Sequence, residues 1–238
     1  MRKTILIITI FWASLMNAQT TFIFDDISGS VQVAEEQIKK RELILKKTLL
    51  ERVNQKGTKV ILSYLQKNSG NLANSKVFVF EPIQSSTVST GGSNEAREKA
   101  NLMRSKFLFI TKVLNALKAD VPRSNATYIL ESLPKIYEQL KLDSDLQVIS
   151  FSDMLEYSPR RKLYLLSKSD AEKKGIADAK GLIKDFGLSK TTYPNLQIDC
   201  YLPVSMTNET TTFSYISYYW ETVFKTLFGT DNIKFHTL

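Results

Sequence analysis

The apolar run Phe22-Ile23-Phe24 stops at a pair of acids, Asp25-Asp26, and two hydroxyls follow at Ser28 and Ser30. So short and apolar a run reads as a buried strand. Asp26, Ser28 and Ser30 stand at i, i+2 and i+4, so hard oxygen donors gather just past the strand's C-terminal end. That end is where open α/β sheets bind their ligands. Oxygen donors suit a small dication such as Mg²⁺. A plainer alternative stands beside this one: Ser28 and Ser30 cap the next helix, and Asp26 closes a turn.

The rest of the chain alternates strand and helix patterns. Residues 21–25 read as the first strand. Residues 33–68 are helical in pattern, with apolar candidates at Leu43, Leu50, Val53, Ile61 and Leu65, and Lys56-Gly57-Thr58 is a candidate break. Residues 76–80 form a second strand, ended by Glu81-Pro82, and the Ser/Thr/Gly-rich stretch 84–94 reads as a surface loop. Helix patterns cover 95–119 and 125–140. A third strand, 146–151, runs into Ser152-Asp153. A basic amphipathic helix over 170–186 stops at Gly187, a fourth strand covers 196–204, and an aromatic-rich helix over 213–228 is capped by Gly229. Lys234-Phe235 reads as a short last strand. The pattern predicts an α/β, Rossmann-like fold: one domain with a mostly parallel central sheet and helices on both faces. With 238 residues and 43% hydrophobic side chains, one large domain has enough apolar material for a full core.

Residues 1–18 read as a signal peptide. Arg2 and Lys3 precede an apolar stretch too short for a comfortable membrane span, and Ala18 is the expected cleavage point. Residues 19–238 are then the domain, exported to periplasm or extracellular space. The net charge of +8 fits lysine-rich helix faces and leaves an anionic envelope surface as a possible contact. No helix-turn-helix, zinc-finger or RNP signature marks a nucleic-acid binder. Cys200 is the only cysteine, so there is no intrachain disulfide, and its strand-like surroundings predict a buried structural thiol. His236 is the only histidine, which excludes a histidine-based catalytic or metal site.

The motif Asp26-Ile27-Ser28-Gly29-Ser30, D-x-S-x-S, resembles the first metal loop of the von Willebrand factor A family, the metal-ion-dependent adhesion site. Ser124-Asn125-Ala126-Thr127-Tyr128 resembles the family's threonine loop, and Ser152-Asp153-Met154-Leu155-Glu156 its S-D loop. The segment Tyr219-Trp220-Glu221-Thr222-Val223-Phe224 is similar to the closing helix of some bacterial members. The resemblance implies a metal set of Asp26, Ser28, Ser30, Thr127 and Asp153 around Mg²⁺ or Mn²⁺, with no catalytic residues. Ser124 and the 85–93 loop remain alternative sources of the third hydroxyl. Asp25 is expected to shape the strand end or stand behind the ligands rather than bind the ion; Glu156 is a candidate for the rim of the site, with a solvated glutamate the plainer reading.

The resemblance implies a metal-dependent adhesion or assembly module whose protein or peptide partner donates an acid to the ion. Two alternatives stay open. One is an envelope assembly component with a vestigial metal site. The other is a metal-dependent phosphoryl hydrolase, which is disfavoured because Ser28 stands where the D-x-D pattern of haloacid dehalogenases wants a second acid. On this reading the protein is not an enzyme.

Overall fold

The computed structural model describes residues 19–28, 35–66, 75–83, 94–118, 124–158, 162–189, 191–204 and 210–238. The expected signal peptide, Ser30 and the 85–93 loop lie outside them. Six strands form one sheet: β1 (Thr20–Asp26), β2 (Lys59–Leu65), β3 (Ser75–Val79), β4 (Leu146–Phe151), β5 (Gln197–Leu202) and β6 (Ile233–Thr237). Their order is β3-β2-β1-β4-β5-β6, and β3 alone is antiparallel to its neighbour. This is the doubly wound order, and it reverses direction between β1 and β4.

The helices are α1 (Glu35–Arg52), α2 (Asn94–Leu117), α3 (Leu133–Leu142), α4 (Lys168–Phe186) and α5 (Thr210–Phe228). They divide between the two faces of the sheet. Phe22 and Phe24 of β1 pack with Ile61, Val148 and Ile198 under α3, α4 and α5. Ile23 packs with Val60, Leu62 and Ile149 under α1 and α2. Side chains alternate along a strand, so Asp25 projects on the face of Ile23, toward α1. Cys200 is fully buried, as expected, and burial pushes its thiol up.

The α/β reading with helices on both faces holds, and the ends of α4 and α5 fall where expected. Gly187 and Gly229 close them in the left-handed region, each at φ 61°. Two elements differ from expectation. Residues 33–68 do not continue as helix: α1 ends at Arg52, Gly57 turns the chain at φ 83°, and β2 begins at Lys59. Ile61 and Leu65 are four apart, a spacing that shares a face in a helix and also in a strand. Every residue of β2 after Lys59 is buried, so no polar alternation marks it as a strand. The helix expected over 125–140 starts late. Residues 124–129 are irregular, a 3₁₀ turn spans Leu130–Ser132, and α3 follows with Pro134 in its first turn. No helix among the described residues is long and apolar enough to cross a membrane.

Candidate functional site

Asp26 is the last residue of β1, and β4 runs out one residue before Ser152. Because these two strands flank the reversal in strand order, their C-terminal ends border the crevice where such sheets take ligands. Asp26 is only 3% exposed. Its Oδ1 accepts the Ser28 backbone N–H at 2.8 Å, closing an Asx turn. Its Oδ2 accepts the Ser152 hydroxyl at 2.7 Å. Burial pushes the Asp26 carboxyl up, and the bonds from Ser152 and Ser28 pull it back.

Asp153 is also buried, and its Oδ1 accepts the Leu155 N–H at 3.0 Å. Between them Met154 adopts φ 58°, a left-handed conformation that costs a non-glycine residue about 1 kcal/mol or more. Three contacts hold it there. The Met154 N–H donates to Ser152 Oγ at 2.9 Å, the Trp220 indole N–H donates to its carbonyl at 2.7 Å, and the Ser150 hydroxyl meets its sulfur at 3.7 Å. The closing helix thus braces the loop that carries Asp153.

The threonine loop joins both. Ser124 bridges Ser28 in parallel register, with its N–H on the Ile27 carbonyl at 3.2 Å. Thr127 is buried and exchanges backbone bonds with Tyr157 at 3.2 and 2.9 Å. Asp26, Ser28, Thr127 and Asp153 therefore lie on three segments bonded into one cluster. Ser30 falls outside the described residues.

Glu156 corrects the expectation of a solvated rim residue. It is 2% exposed, and its Oε2 accepts the N–H groups of Ile129 at 2.7 Å and Leu130 at 3.0 Å. These bonds hold 124–129 off a helical path and fix the threonine loop against the S-D loop. Burial pushes Glu156 up to about 7. Asp25, at the strand end, pairs with Arg41 of α1 at 3.0 Å. Nothing in the sequence marked Arg41 or the buried role of Glu156. Ser152 was visible only as the first letter of the S-D loop.

Every donor in this cluster is oxygen, the ligand type that Mg²⁺ and Mn²⁺ take. No group of three or more His, Cys, Asp or Glu is placed to hold an ion among the described residues. Any dication here would need hydroxyl oxygens beside the carboxylates. Among the described residues, the buried acids Asp25, Asp26 and Asp153 share this end of the sheet with one buried cation, Arg41, a charge balance that suits a dication.

No protein-family model matches the chain, and no curated protein matches its sequence. Among solved structures, the open conformation of the pilus adhesin SpaC from Lactobacillus rhamnosus GG is similar over 93% of this chain and 28% of its own, at 13% identity and a TM-score of 0.46. A von Willebrand factor type A protein from Catenulispora acidiphila is similar over 89% of this chain and 43% of its own, at 9% identity and a TM-score of 0.35. Proximal thread matrix protein 1 of the mussel byssus is similar over 93% and 42%, at 10% identity and a TM-score of 0.38. The chain spans less than half the length of each of these three.

Proposed function

We propose that the protein is an exported, non-enzymatic binding module of the von Willebrand A type, recognising a protein or peptide partner through a dication at the ends of β1 and β4. The Ser152–Asp26 hydrogen bond carries this reading. It ties the S-D loop to the D-x-S-x-S loop at the reversal of strand order. Asp26, Ser28, Thr127 and Asp153, with Ser30 as the expected fifth member, would hold Mg²⁺ or Mn²⁺. The bound ion would supply a Lewis-acidic position for a carboxylate of the partner.

The chain's own residues set the character of that position. Both oxygens of Asp26 already accept hydrogen bonds, so its part is negative charge and contacts through water. Asp153 accepts the Leu155 N–H through Oδ1 and would add a second negative charge. With hydroxyls making up the rest, few carboxylates neutralise the ion, and an acidic partner is favoured. Residues 1–18 are assigned to export.

Calorimetric titration with MgCl₂ and MnCl₂ into the millimolar range tests the site. Saturable binding that disappears in Asp26→Ala is expected. Binding unchanged in that variant, or none at millimolar ion, would sink the metal reading.

One observation favours a second reading, an envelope assembly component with a vestigial site. The protein itself already satisfies both Asp26 oxygens, so the loop cluster closes without an ion. That reading expects partner capture that is indifferent to chelator, with a footprint away from Ser28.

A further inference from the structure

The acidic end of β1 carries a cation of its own. Arg41 lies on the buried side of α1, with Leu45 and Leu49 one and two turns on. It is 7% exposed. Its Nη1 donates to Asp25 Oδ1 at 3.0 Å, and its guanidinium carbon stands 5.3 Å from the centre of the Phe151 ring. Phe151 immediately precedes Ser152, so the guanidinium sits where β1 and β4 end together. Nε and Nη2 have no hydrogen-bond partner among the described residues.

That is a poor way to build a structural ion pair. A guanidinium paired for stability presents two parallel N–H groups to one carboxylate. Here one nitrogen bonds Asp25 and two are buried with no partner among the described residues, which is costly. What the arrangement does achieve is positive charge beside both acids. Arg41 acts through its field on Asp25 and also on Asp26.

We infer that Arg41 is a built-in counter-cation for the end of β1, and that the Asp25–Arg41 pair sets how tightly a dication is held at Asp26. The inference rests on the proposed dication site. With Asp25 neutralised by Arg41, the charge left for an ion is that of Asp26 and Asp153. Removing Arg41 leaves Asp25 without its counter-charge, so that in its ionised form it is an extra buried negative charge beside the site. Removing the Asp25 charge leaves Arg41 as an opposing positive one. Removing both restores the balance.

The test is a charge cycle read by calorimetric titration with MgCl₂ and MnCl₂, with Asp26→Ala as the site control. Arg41→Met is expected to bind the ions at least tenfold more tightly than the wild type, and Asp25→Asn at least tenfold more weakly. The double variant should lie within threefold of the wild type. Melting in chelator adds a second readout: Arg41→Met melts below the wild type and recovers on addition of Mg²⁺. Should Arg41→Met not fold, Asp25→Asn and the double variant still carry the comparison. Wild-type binding that is lost in Asp26→Ala but indifferent to Asp25 and Arg41 keeps the dication site and overturns the role of Arg41. Absence of binding in the wild type and all variants removes the site, and the inference with it.

Discussion

The Ser152 hydroxyl donates to Asp26 Oδ2 at 2.7 Å, joining residues 126 positions apart in sequence. The bond is buried and has two functions. The same Oγ accepts the Met154 N–H, so it fixes the left-handed turn that carries Asp153. Ser152→Ala leaves a buried carboxylate oxygen and a buried N–H without partners. Each such group costs about 1–3 kcal/mol. Urea unfolding is expected to show a loss of about 2 kcal/mol or more, with ion affinity falling alongside it. A variant as stable as the wild type would mean that the bond is dispensable to the loop.

Close packing of α4 against α5 gives a second prediction with its own control. A Cβ built on Gly175 meets the Tyr219 carbonyl oxygen at 2.9 Å and the Thr222 Cβ at 3.0 Å. One neighbour is backbone and the other is stiffly branched, so neither moves aside cheaply. Gly175→Ala therefore loses about 1–2 kcal/mol, because overpacking exceeds the roughly 1 kcal/mol that alanine gains in a helix. Gly181 lies on the same helix, and nothing stands within 4 Å of its Cβ position. Gly181→Ala should gain up to about 1 kcal/mol. Thermal melts of the two variants that shift in the same direction would contradict this account.

Much of the fold was legible because local rules and tertiary context agree. Phe22-Ile23-Phe24 is apolar on both sides because helices cover both faces. Gly187 and Gly229 mark helix ends that really are left-handed. The strand β2 was hidden because it lies between β1 and β3 with both faces buried, and its Ile61–Leu65 spacing satisfies a helix as well as a strand. At the site, Asp26, Ser28, Thr127 and Asp153 were legible as motif letters and share one bonded cluster of loops. Arg41 was not legible, because its meaning depends on which face of β1 Asp25 takes and on which helix covers that face. Nor was Glu156, whose partners Ile129 and Leu130 are backbone groups that no side-chain motif records.

Glu156 gives the third prediction, in pH. Burial raises its carboxyl from 4.5 to about 7 in the folded protein. Below about pH 4.5 it is protonated in both folded and unfolded chains and has no pH-dependent effect. Between 4.5 and 7 the unfolded chain gives up the proton first, so stability falls as pH rises; above 7 the penalty is constant. A shift of this size is worth about 3 kcal/mol at 1.36 kcal/mol per unit. Glu156→Gln keeps an oxygen for the Ile129 and Leu130 N–H groups, and its amide can donate to Ser158, which already bonds the carboxylate. It removes the charge at every pH. Relative to the wild type, the variant should therefore gain about 3 kcal/mol between pH 4.5 and pH 8 in denaturant unfolding. Effects of other titrating groups cancel in that difference. Parallel stability curves for the two proteins would mean that Glu156 is ionised at little cost in the fold, and its hold on the threonine loop would then be that of an ordinary carboxylate cap.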